Sequence, residues 1–154
     1  MNPLREAGDL AGAVGQGMLA GAIGTVAMTA SSTLDAKLRD RPASSAPADA
    51  AGKVLGVQPR DVDGEARFSN VVHWSYGTSW GAARGAIAAT GLGGLAATAA
   101  HFGAVWGSSL VMLPSLGVAP PVWKQPIAET ALDAFHHLVY AGATSIAWRA
   151  VAGD

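Results

Sequence analysis

Residues 10–34 read LAGAVGQGMLAGAIGTVAMTASSTL, twenty-five positions without an Asp, Glu, Lys or Arg. A helix that crosses a bilayer needs about 20 mostly apolar residues, and this run supplies one. Within it Ala13, Gly17, Gly21, Thr25 and Thr29 recur every fourth position. That spacing lines small residues along one helix face, where a second helix can approach closely.

The rest of the chain shares the pattern. Residues 85–123 form a second charge-free run of 39, interrupted only by the polar His101, and shorter ones cover 68–83 and 134–148. Only 14% of the 154 residues are charged, against roughly 25% in a soluble domain. An Ala-rich soluble bundle would still need a charged face on each helix, and these segments offer none. The expectation is one integral membrane domain over 1–154.

The composition also excludes partners and chemistries. The chain has no Cys and a net charge of −1 with no basic run, so disulfides, thiolate metal sites and nucleic acid are set aside. The segment before the first run, MNPLREAGDL, balances Arg5 with Glu6 and Asp9, and the run is longer than a signal-peptide core; the helix is read as retained. No phosphate-binding loop or activated-nucleophile motif is present, which argues against an enzyme.

The expected architecture is all-α: a four-transmembrane-helix bundle with helices over about 11–34, 69–90, 95–113 and 127–151. A short interfacial helix lies between the first two, near SSAPADAAGKVLG, with Pro47 in its first turn. VQPRDVDGEARF reads as turns, TGLGG as a tight turn, and PSLGVAPPVWKQP as a rigid loop with Trp123 at headgroup level. Six Lys and Arg fall between the first two helices, which places the loop 35–68 in the cytoplasm and both termini outside.

Two further stretches carry the candidate residues. In HWSYGTSWG (73–81), His73, Tyr76, Trp80 and Arg84 share a helical stripe beside Gly77, Gly81 and Gly85. HFGAVWG (101–107) repeats the theme with Gly103 and Gly107 beside Phe102 and Trp106. Gly17, Gly21 and these five glycines read as helix-packing positions. In the last helix Glu129, Asp133, His137 and Thr144 lie on one side, with His136 and Tyr140 beside them. His137-Leu-Val-Tyr140 echoes the His-x-x-Tyr of His73 and Tyr76, a hint of two related hairpins.

Ionisable groups in a membrane are costly and face the bundle interior. Asp133, Tyr76, Tyr140 and Arg84 are therefore expected to form a polar network, with His73 and Asp133 close enough in depth to pair and Arg84 free to snorkel. Three uses stand open: interhelical hydrogen bonds that set register; ligation of haem or a metal ion by His73, His101, His136 or His137; and a proton or ion path through Asp133 and the histidines. No cofactor is expected on the first reading.

With GMLAGAIGTVAMTA in the first helix, a Pro-containing linker, HWSYGTSWG opening the second and FHHLVYAG in the last, the chain resembles the small bacterial inner-membrane proteins of the YagU-like kind. The resemblance implies a multi-pass protein of the bacterial cytoplasmic membrane with a link to acid tolerance. It brings no catalytic residues. The expectation is a non-catalytic structural or accessory protein whose partners are the lipid bilayer and either further copies of itself or the subunits of a larger membrane complex.

Overall fold

A helix-capping aspartate shifts the first boundary. In the computed structural model, which describes residues 3–42 and 44–153, Asp61 accepts a hydrogen bond from the Gly64 N–H and opens a helix over Val62–Ala89. Asp63 and Glu65 in its first turn favour the positive end of the helix dipole. Residues 62–68 are thus helical, not turn.

The elements are α1 (Pro3–Leu38), α2 (Ala46–Leu55), α3 (Val62–Ala89), α4 (Gly94–Ser115), a single 3-10 turn (Val122–Lys124) and α5 (Ile127–Ala152). No strand occurs among the described residues. The turn between α3 and α4 rests on Gly91, whose φ of 84° only glycine adopts cheaply. α1 and α3 both run past the expected spans, because the polar residues flanking each apolar run continue the helix.

α1 is the central strut, with α3 and α5 packed antiparallel on two of its faces; α4 lies against α5 and the edge of α3. The α1–α3 seam is built from the fourfold stripe. A Cβ added at Gly17 would overlap the carbonyl oxygen of Gly81, and one added at Gly81 would lie 2.7 Å from Gly21 Cα. One at Gly85 would meet the Ala13 carbonyl, and one at Gly77 the Thr25 hydroxyl. Backbone therefore touches backbone from Ala13 to Gly21, about two helical turns, the close approach that small-xxx-small spacing permits.

The α1–α5 seam uses a second stripe, one helical position around. Ala20 packs with Ala147 and Trp148, and Gly24 sits against Tyr140 and Thr144. α2 rests on α3, and its Ala48 and Ala50 are buried. Lys53 donates to the carbonyls of Leu116 (2.7 Å) and Gly117 (3.1 Å) beyond the end of α4. This lysine clamp joins α2 to the negative end of the α4 dipole.

The interior is unusual in what it lacks. Among the described residues no Leu, Ile, Met or Phe is buried; the buried apolar residues are six alanines with Val105, Tyr140 and Trp148. The large aliphatic side chains point outward, as with Leu19 and Ile23 on α1, Leu95 and Val111 on α4, and Leu138 and Ile146 on α5. Two helices, α1 and α4, are long and apolar enough to cross a membrane, and only 28% and 22% of their most apolar stretches are buried within the chain. α3 and α5 have the length but carry more polar side chains.

Candidate functional site: a polar node inside the helix bundle

Several of the buried polar side chains, Thr25, His101 and Thr144 among them, gather with Tyr140 where all four long helices meet. Tyr140 of α5 is 2% exposed, and its hydroxyl donates to the Gly77 carbonyl of α3 at 2.6 Å. Thr25 of α1 packs onto the same glycine while its hydroxyl donates to Gly21 O at 2.8 Å. His101 of α4 is fully buried, and its ring lies 5.5 Å from that of Tyr140. The Nε2 of His101 is 3.0 Å from the Trp80 carbonyl. A carbonyl only accepts, so this nitrogen carries the proton. Nδ1 is then left as an acceptor, and it has no hydrogen-bond partner among the described residues.

Below this level Arg84 of α3 is 2% exposed. Its Nε donates to Ser145 of α5 (3.3 Å), which also accepts from Thr98 of α4 (2.9 Å). The guanidinium lies 5.0 Å from the centroid of the Trp148 ring, a cation–π geometry. Arg84 is thus held inside the bundle, where its stem contributes to packing; it does not snorkel to the interface as expected.

The remaining histidines fall elsewhere. His73 Nε2 is 2.7 Å from the Thr29 hydroxyl, which itself donates to Thr25 O at 2.7 Å, so the ring donates to the threonine. His73 therefore pairs with α1 and not with Asp133. Asp133 is exposed and accepts from the Trp106 indole N–H at 2.9 Å. His137 Nδ1 lies 2.9 Å from the Asp133 carbonyl and 3.4 Å from its carboxylate. Tyr76 stacks edge-on against Trp80. The expected Asp133–Tyr76–Tyr140–Arg84 network is thus divided, with Tyr140 and Arg84 inside and Asp133 outside. The two His-x-x-Tyr pairs serve different ends, since His73 faces α1 while His137 turns back on its own helix.

His136 sits at the end of the bundle that carries the long connection. Its Nδ1 is 2.8 Å from Ser31 Oγ, and its Nε2 is 3.8 Å from Asp35. Ser31, His136 and Asp35 fall in a line, but 3.8 Å is beyond hydrogen-bond reach. Arg41 binds the Asp35 carboxylate and holds its pKa below the usual range. Ser31 also lies within α1, whose helical N–H groups are already bonded, so no oxyanion donors face it. The line is a helix contact. Beside it Arg39 and Arg41 both reach Glu129 at the start of α5, tying the end of α1 to α5.

The glycines divide in the same way. Gly17, Gly21, Gly77, Gly81 and Gly85 form the α1–α3 contact, whereas Gly103 and Gly107 have open space where a Cβ would stand. These two glycines therefore face no helix among the described residues, although His101 and Trp106 of the same motif reach α3 and α5. Reading the sequence alone missed Gly24, Ser31, Asp35, Thr98 and Ser145. The spacing Ala20-xxx-Gly24 was the available signal for the α5 face of α1.

Among the described residues no group of three His, Asp or Glu side chains is arranged to hold a metal ion, and each histidine ring has a hydrogen-bonding neighbour of its own. Compared with family models, curated proteins and solved structures, the chain matches none.

Proposed function

We propose that this chain is a four-span integral membrane protein with an accessory, non-catalytic role, associating through α4 with a second copy of itself or with a subunit of a larger membrane complex. The observation that carries the membrane reading is the inverted interior: among the described residues small and polar side chains are buried and no Leu, Ile, Met or Phe is. In water that surface would cost about 25 cal/mol per Å² of exposed apolar area. In lipid it costs nothing, and helix packing then depends on small residues and interhelical hydrogen bonds, which are what the seams and the node contain.

On this reading α3 and α5 also cross, with Arg84, Tyr140, Thr144 and Ser145 turned to the interior. The end with α2 carries Lys37, Arg39, Arg41, Lys53, Arg60, Arg67 and Lys124, against Arg5 and Arg149 at the other. This bias supports a cytoplasmic connection over 35–68 and external termini. The resemblance to YagU-like proteins adds a bacterial cytoplasmic membrane. The association reading rests on the outward face of α4, where Ala96, Ala100, Gly103 and Gly107 line up at intervals of three and four, the same small-residue spacing that α1 and α3 use on each other. Haem ligation and a proton path through Asp133 gain less from the geometry, because the histidines are separately engaged and Asp133 lies outside the node.

Alkaline carbonate extraction tests the first part: the chain stays with the membrane pellet. Because the chain has no cysteine, Gly103→Cys provides a single thiol to test the second. Oxidation in native membranes should yield a disulfide dimer or a cross-linked heteromer, with none from Ile146→Cys on another exposed face. Release by carbonate would sink the membrane reading; an uncross-linked Gly103→Cys would sink the α4 reading.

A further inference from the structure

The glycine stripe of α3 runs Gly85, Gly81, Gly77 and then stops, because the next position is His73. Glycines let the backbones of α1 and α3 touch; at His73 the contact passes to side chains, its Nε2 lying 2.7 Å from the Thr29 hydroxyl. Beside it a groove of about 410 Å³ runs along α1, lined by Val26, Thr29, Ala30, Thr33 and Leu34, walled by Trp74 and ending at Lys37. We propose that this groove binds one anionic phospholipid from the leaflet next to α2, with an acyl chain along α1 and the phosphate at Lys37. The inference rests on the membrane reading above.

Two observations select this occupant. From Val26 to Lys37 is eleven residues, roughly 16 Å of helix at about 1.5 Å per residue, close to half of a hydrocarbon core about 30 Å thick. The groove thus matches one leaflet, with its apolar part at chain depth and its cation at headgroup depth. The second is charge. The neighbouring arginines of α1 are committed, Arg39 to Glu129 and Arg41 to Asp35 and Glu129, whereas Lys37 forms no ion pair among the described residues. A compact ammonium at the mouth of an apolar groove suits a phosphate oxygen. An apolar peptide segment would fill the groove but leave Lys37 without a counter-charge.

The test is native mass spectrometry of the purified full chain in detergent, titrated with dioleoyl phosphatidylglycerol or dioleoyl phosphatidylcholine. The wild type should bind one phosphatidylglycerol at least about fivefold more tightly than phosphatidylcholine, the effect of one basic side chain near the surface. Lys37→Gln should abolish that preference, whereas Arg60→Gln, which removes a charge from the exposed turn before α3, should leave it intact. Ala30→Trp, on the exposed face and filling the groove, should weaken both lipids. Circular dichroism confirms that each variant is folded. Equal binding of the two lipids by the wild type, equal effects of Lys37→Gln and Arg60→Gln, or unaltered binding by Ala30→Trp would each overturn the site. A chain that carbonate releases from membranes overturns the site together with the membrane reading; a retained chain that fails the lipid test overturns the site alone.

Discussion

Gly81→Ala asks one methyl group to enter the place where α1 and α3 touch. The added Cβ would lie 2.7 Å from Gly21 Cα and 2.8 Å from Gly21 N, and it would also overlap the Gly17 carbonyl. All three obstacles are backbone, so no side-chain rotation relieves them. Ordinary contact begins at 3.4 Å, so the helices must separate by about 0.7 Å or more along a seam held by backbone contact. Overpacking of this kind costs about 1–3 kcal/mol, while replacing a helical glycine by alanine returns about 0.5–1 kcal/mol. Gly103→Ala is the matched control: it takes the same propensity gain, and its methyl meets nothing within 4 Å. The difference between the two variants therefore isolates the clash, about 1–3 kcal/mol, or roughly five- to 150-fold in the unfolding equilibrium constant. Equilibrium unfolding in mixed micelles, at protein concentrations low enough to keep the chain monomeric, measures it. If Gly81→Ala and Gly103→Ala prove equally stable, α1 and α3 do not meet through this seam and the bundle as described is wrong.

Further outcomes follow from the same contacts. Tyr140→Phe removes the hydroxyl bond to the Gly77 carbonyl and should cost about 0.6–1.7 kcal/mol in the same unfolding assay, the range for interhelical bonds in membrane bundles. Lys53→Met frees α2 from the end of α4, so amide exchange over 46–55 should quicken while the exchange of α1 and α3 stays unaltered. At the end of α1, Arg41 lowers the pKa of Asp35, with Arg39 and His136 adding to the effect. The contribution is complete above the unfolded carboxylate pKa of about 4 and is lost as pH falls through the lower folded value. Thermal stability should therefore be insensitive to Asp35 from pH 7 to 5 and fall below about pH 4, and in Arg41→Gln, where the folded and unfolded values draw together, that fall should be shallower.

How much of this was legible beforehand depends on the kind of residue. Charge-free runs announce apolar helices, because burying an unpaired charge is prohibitive in either a core or a bilayer, and the described chain is all-helical. The stripe Ala13, Gly17, Gly21, Thr25, Thr29 marked a contact face, since period four in small residues has one geometric consequence. Helix ends were less legible. Asp61 and the acidic turn after it start α3 within a stretch that local composition assigned to turns.

Side-chain partners were the part that sequence could not decide. His73 and Asp133 share an approximate depth, yet depth says nothing of azimuth: His73 turns to Thr29 of α1 and Asp133 to Trp106 of α4. Arg84 could have reached water by length alone, but its stem lies between α3 and Trp148, with Ser145 beside it. Gly77 and Gly103 head similar motifs, yet only one of them faces a helix of this chain. Sequence alone determined that the chain forms apolar helices with small-residue faces, because periodicity and the absence of charge are properties of a single helix. Which faces meet, which polar groups share the node and which groove stays open were decided by the tertiary structure, because those depend on the rotation of each helix against its neighbours.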